Sequence, residues 1–126
     1  MVDRNAICSI CDHYVAAVDA GDVDGVMSLY GDVPVVEDPV GSEPKVGREA
    51  VRAHYMASFG GRFSARRIGP VTVVGQRAAF QFRVDVPLGP TTMKVTVTDI
   101  MTFDPDTRIL TMVAYPDGEA DPDAVV

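Results

Sequence analysis

The sequence predicts an α+β domain, with three N-terminal helices packed on one face of a curved, mostly antiparallel sheet. Three observations predict it. The chain has 126 residues, a single-domain length, and 47% of them are hydrophobic, enough for one core. Apolar residues in the first half recur at three- and four-residue steps, the helical period. From residue 62 onward that period gives way to alternation, broken by Gly-, Pro- and Asp-containing turns. Helical segments followed by a run of strands form an α+β arrangement.

The first helix is marked by Ile7, Ile10, Cys11, Tyr14, Val15 and Val18, with Asp12, His13 and Asp19 elsewhere around the wheel. Gly21 ends it. Asp22 is the expected N-cap of a short second helix whose inner face is Val23, Val26, Met27 and Tyr30, stopped by Gly31. Residues 33–38 read as a short strand, which Pro34 confines to an edge or an end. Residues 39–47 read as a loop. A third helix is expected from about Arg48, with Val51, Tyr55 and Phe59 on one side and Gly60-Gly61 after it. Residues 62–74, 78–86, 93–103 and 109–115 then read as four strands. The domain is expected over residues 1–116, followed by an acidic, disordered tail over residues 117–126. That tail carries Asp117, Glu119, Asp121 and Asp123 and no basic residue.

Eleven Lys and Arg against eighteen Asp and Glu leave a net charge of −7. An acidic surface repels phosphate backbones and anionic lipid heads, so nucleic-acid and membrane partners are not expected. No apolar run approaches the roughly 20 residues of a membrane helix. The first twelve residues lack the apolar stretch of a signal peptide, and a cytoplasmic location is expected. Cys8 and Cys11 stand in C-x-x-C spacing, but both fall in the helical pattern, where they read as small apolar residues. A zinc site would need two more ligands, and His13 and His54 are the only histidines, so no metal is expected. No glycine loop of the phosphate-binding kind is present, and no cofactor is expected.

Asp99 is the most informative residue. Met93, Val95, Val97, Asp99, Met101 and Phe103 share one phase of a strand, so the carboxyl points into an apolar layer. A carboxylate there is costly and tends to protonate. The pattern leaves two other readings open: a β-bulge that turns Asp99 outward, and a buried ion pair. Tyr14, Tyr30 and Tyr55 each lie on an inner helical stripe, where three phenols could form a hydrogen-bonded cluster or each reach a backbone carbonyl. Asp38, before Pro39, is a second carboxyl of interest, or a plain turn residue. Glu37 reads as a solvated neighbour, His54 as a partly buried structural histidine, and Arg66-Arg67 as an exposed strand edge.

The stretches Tyr14-Val15-Ala16-Ala17-Val18-Asp19-Ala20-Gly21-Asp22 and Val36-Glu37-Asp38-Pro39-Val40-Gly41-Ser42-Glu43-Pro44 resemble the ketosteroid isomerases. The resemblance extends from Ile7 to Tyr115 and is most specific in the first half. It implies a conical, barrel-like α+β fold of the nuclear transport factor-like and polyketide cyclase-like kind, and a homodimer formed through the sheets. Asp38 matches the proton-shuttling base, Tyr14 and a protonated Asp99 match the two oxyanion donors, and Tyr55 and Tyr30 match the supporting phenols. Val18, Phe82, Met101, Met112 and Ala114 match the apolar pocket wall. The chain departs from the family pattern at His54 and Pro116, where relatives carry aromatic residues.

The implied activity is isomerisation of a small apolar 3-oxo-Δ5-steroid to its conjugated Δ4 form, with Asp38 carrying one proton from C4 to C6. Two rivals stand beside it. One is a related cyclase, dehydratase or hydrolase acting on another apolar ketone or epoxide. The other is a non-catalytic module that binds hydrophobic ligands.

Overall fold

The structure is a computed structural model that describes residues 3–121. Helix α1 (Arg4–Ala20) starts where the Asp3 side chain accepts a hydrogen bond from the Asn5 N–H, and it stops at Gly21 in the left-handed conformation. Its stripe of Ile7, Cys11, Tyr14, Val15 and Val18 is buried. Helix α2 (Val23–Met27) is capped by Asp22, whose carboxylate accepts from Gly25 N–H. Strand β1 (Tyr30–Glu37) and the two-residue β2 (Lys45–Val46) follow, and then α3 (Arg48–Ser58). The chain ends in β3 (Ser64–Val74), β4 (Arg77–Leu88), β5 (Thr91–Phe103) and β6 (Ile109–Asp117). None of the helices described is long and apolar enough to cross a membrane.

Two elements differ from the sequence expectation. Tyr30 opens β1 instead of closing the second helix, because the helix ends at Met27. Arg48 accounts for the early stop: its guanidinium donates to the carbonyls of Met27, Tyr30 and Gly31, drawing this connection onto the start of α3. The expected loop of residues 39–47 contains β2, which pairs antiparallel with β1 through Val35–Val46 and Val36–Lys45.

The six strands form one sheet in the order β2-β1-β6-β5-β4-β3, and β1 runs parallel to β6. The other four pairings are antiparallel. The expectation of a conical barrel with a strongly curved wall is overturned: the sheet is mixed, open and not strongly curled. The edges explain this. Closure requires the two edge strands to hydrogen-bond to each other, and β2 offers two residues. The other edge, β3, is served by α1 instead. The Asp19 carboxylate accepts from the Ala65 N–H, and Arg4 donates to the Val71 carbonyl. Two side chains of α1 thus meet backbone groups of that edge, and the helix covers it.

The core lies between the helices and the inner face of the sheet, where Ile7, Val26, Val36, Val51, Met101 and Ile109 are fully buried. The chain after β6 folds back over the other end of β5. Thr96 and Arg83 both donate to the Ala120 carbonyl. Residues 122–126 of the acidic tail lie outside the described residues.

Candidate active site

Strand β5 pairs with β4 without interruption from Thr91 to Thr102, so its phase does not slip at Asp99. Asp99 faces inward, flanked across the sheet by Phe80 and Ala114, and is 1% exposed. Neither carboxyl oxygen has a hydrogen-bond partner. Both the bulge and the buried ion pair are therefore excluded. Burial, first, and the negative charge of Asp38, second, push the Asp99 pKa well above the usual carboxyl range. The shift favours the protonated form, the form that has an O–H to donate.

The three tyrosines come together although they sit on different kinds of element. Tyr55 on α3 is the hub: its hydroxyl lies 2.8 Å from that of Tyr14 and 2.6 Å from that of Tyr30. With each phenol donating to the next from Tyr30 through Tyr55, the Tyr14 proton is left for an acceptor in the cavity. Burial raises the pKa of all three well above the ordinary phenol value. The bond from Tyr55 opposes that rise at Tyr14. The Tyr14 ring also meets Phe80 edge-on at 6.3 Å, fixing it between helix and sheet.

Asp38 follows β1 directly and is less enclosed, with its side chain 30% exposed. Its Oδ2 lies 3.1 Å from Nε2 of His54 on α3. The His54 ring packs edge-on against Tyr55, with centroids 5.2 Å apart. Nothing in the local pattern around either residue signals this pair, which forms only because the end of β1 passes under α3.

Tyr14, Asp38, Tyr55 and Asp99 all line one cavity of about 260 Å³. This is close to the lower end of the range of small-molecule sites, about 300–1,000 Å³. Val18, Phe82, Met112 and Ala114 are in its wall, as is Pro116. Tyr30 stands behind Tyr55, outside the wall. Met101, expected in the wall, is not part of it: it pairs with Ala78 and Met112, one step beyond Asp99, and is fully buried in the core under the cavity floor. Phe59, Phe63, Val84, Val86 and Val97 complete the apolar lining, and Ser58, Gly61 and Arg62 also border it. Of these, the sequence pattern turns Phe59 and Val97 inward but does not mark the others as lining. Val84 and Val86 were accessible to it, since they share the phase of Phe82.

Among the described residues, no three His, Cys, Asp or Glu side chains converge as a metal site requires. Cys8 and Cys11 are free thiols. Burial, and then the neighbouring Cys8, push the Cys11 thiol up to about 12, which keeps it protonated and unreactive.

Residues 11–112 match the family model described as the SnoaL-like domain. The chain is 36% identical over 102 residues to the steroid Delta-isomerase of Nocardioides simplex, covering 81% of this chain and 82% of that protein. It is 42% identical over 59 residues to the epoxide hydrolase LasB of Streptomyces lasalocidi, covering 47% of this chain and 20% of that protein. Among solved structures, the epoxide hydrolase/cyclase-like enzyme SalBIII superposes with a TM-score of 0.82 at 24% identity, over 93% of this chain and 95% of the other, a likeness of fold.

Proposed function

This chain belongs to the SnoaL-like domain family, and we propose that it is an enzyme that moves protons on a small apolar substrate with one reactive oxygen, a ketone or an epoxide. The observation that carries this reading is Asp99, a fully buried carboxyl without a hydrogen-bond partner in the same cavity as the Tyr14 hydroxyl and the Asp38 carboxyl. Two neutral donors and one base suit a reaction in which charge develops on a single oxygen.

With a β,γ-unsaturated ketone, Asp38 takes a proton from the carbon between the carbonyl and the double bond. The electron pair moves onto the carbonyl oxygen, where Tyr14 and Asp99 donate hydrogen bonds. Asp38 then returns the proton to the far carbon, and the double bond becomes conjugated. The 36% identity to a steroid Delta-isomerase supports this route and a steroid-like ring system as substrate. With an epoxide, Asp38 takes the proton of the attacking water or hydroxyl as the ring C–O bond breaks, Asp99 gives its acid proton to the freed oxygen, and the two carboxyls then restore their starting states by proton exchange with solvent. The similarity to LasB supports this second route.

The deciding experiment offers both substrates to the same preparation. A Δ5-3-ketosteroid is followed by the absorbance of the conjugated enone. An apolar epoxide bearing an internal hydroxyl is followed by mass and NMR for diol or cyclic ether. Turnover of either one assigns the route. Tight binding of a phenolic steroid without turnover of either substrate would sink the enzyme reading and leave a ligand-binding module.

A further inference from the structure

We propose that His54 is a positioning residue for the base: its Nε2–H donates to Oδ2 of Asp38 and holds the carboxylate so that Oδ1 is the oxygen that exchanges a proton with the substrate. The inference rests on the reading of Asp38 as the base. Three observations carry it. The Nε2–Oδ2 distance is 3.1 Å, and among the described residues Oδ1 has no comparable partner. Asp38 belongs to the cavity wall, whereas His54 does not, so the imidazole grips the carboxylate from behind while its other oxygen serves the cavity. The imidazole is itself held: it is only 13% exposed, its ring packs on Tyr55, and its backbone carbonyl accepts from the Ser58 hydroxyl.

The device has a physical purpose. Asp38 stands at the end of a strand, partly solvated, and an unrestrained carboxylate there would rotate about its last torsion. One hydrogen bond to a charged acceptor removes that freedom on one oxygen and leaves the lone pairs of the other in place. Tyr55 contacts both His54 and Tyr14, so a single helical turn sets the base and one oxyanion donor in register.

The test compares two variants with the wild type on whichever substrate the wild type turns over. His54→Phe keeps the ring and loses the donor, and should lower kcat by about 10- to 100-fold with KM within about twofold, the signature of misorientation. His54→Gln, whose amide N–H reaches the place of Nε2, should recover most of that loss. A purely packing role would show the reverse order, with Phe tolerated better than Gln. Should His54→Phe not fold, His54→Asn takes its place with the same expected loss, since its shorter amide stops short of Oδ2. A kcat in His54→Phe equal to or above the wild type overturns the proposal. A measurement independent of turnover separates its failure from that of the proposed function. The His54 Nε2–H proton, followed by NMR, should exchange with water more slowly in the wild type than in Asp38→Ala, because the carboxylate oxygen holds it. An exchange rate unchanged by that substitution overturns the pairing even if neither substrate is consumed.

Discussion

Asp38 and Asp99 are the same side chain lining the same cavity, and the fold gives them opposite surroundings. Asp99 sits mid-strand between Phe80 and Ala114, sealed from water and without a partner for either oxygen. Asp38 stands past the end of a strand, in contact with solvent and with a histidine. Ionising Asp99 would place a second negative charge in a cavity that already holds Asp38, and burial makes that more unfavourable still. The difference teaches that position along a strand, rather than residue type, decides how far a carboxyl is sealed from water, and on the proposed reading this separates the acid from the base. Strand centres are covered on both sides; strand ends are open.

The sharpest way to break this contrast is to remove the base. Asp38→Asn should lower turnover by about 10²–10⁴-fold, the usual worth of a positioned general base. Binding of a phenolic steroid should persist, as measured by fluorescence or calorimetry. A loss under about tenfold would assign the proton transfer to another group.

The donors come next. Tyr14→Phe should lower kcat by about 10²–10³-fold with little change in KM, because the lost bond strengthens only as charge develops. An effect mainly on KM would make Tyr14 a binding residue instead.

At Asp99 the contrast can be tested through stability as well as rate. Asp99→Leu should cost turnover on the scale of Tyr14→Phe, while Asp99→Asn, which retains an N–H donor, should cost less. The Leu variant should also be the more stable protein at neutral pH, since an unsatisfied buried polar group costs about 1–3 kcal/mol. The pH dependence has a definite sign. The folded-state pKa of Asp99 is raised, so its contribution to stability is fully present below the ordinary carboxyl pKa, 3.8. Above that value the unfolded chain ionises more readily than the folded one, and the contribution declines until the folded-state pKa is passed. Urea midpoints measured upward from pH 4 should fall less steeply in Asp99→Leu than in the wild type. Parallel curves would mean that Asp99 is ionised in the fold.

The smallest effect is expected at the hub of the phenol cluster. Tyr55→Phe removes the bond to Tyr14 but leaves the Tyr14 donor, and kcat should fall by about tenfold or less. A fall as large as that of Tyr14→Phe would mean that Tyr55 itself touches the substrate.

Much of the site is legible in the amino-acid sequence alone. The phase of Asp99 depends only on the two-residue repeat of a strand, and the stripe of α1 only on the 3.6-residue repeat of a helix; both are local properties that the order of residues determines by itself. The two segments around Tyr14 and Asp38 likewise carry the family resemblance in consecutive residues. Tyr30 escapes local reasoning, because its helical spacing is overridden by Arg48, which is eighteen residues away and binds three carbonyls at the turn. The open sheet is equally out of reach, since it depends on Asp19 and Arg4 meeting the edge of β3 more than forty residues on. The His54–Asp38 contact joins a helix to a strand end and leaves no periodic trace in either. Repeats within one element are written in neighbouring residues, whereas contacts between elements exist only once the chain has folded, and it is those contacts that decide how the base is held.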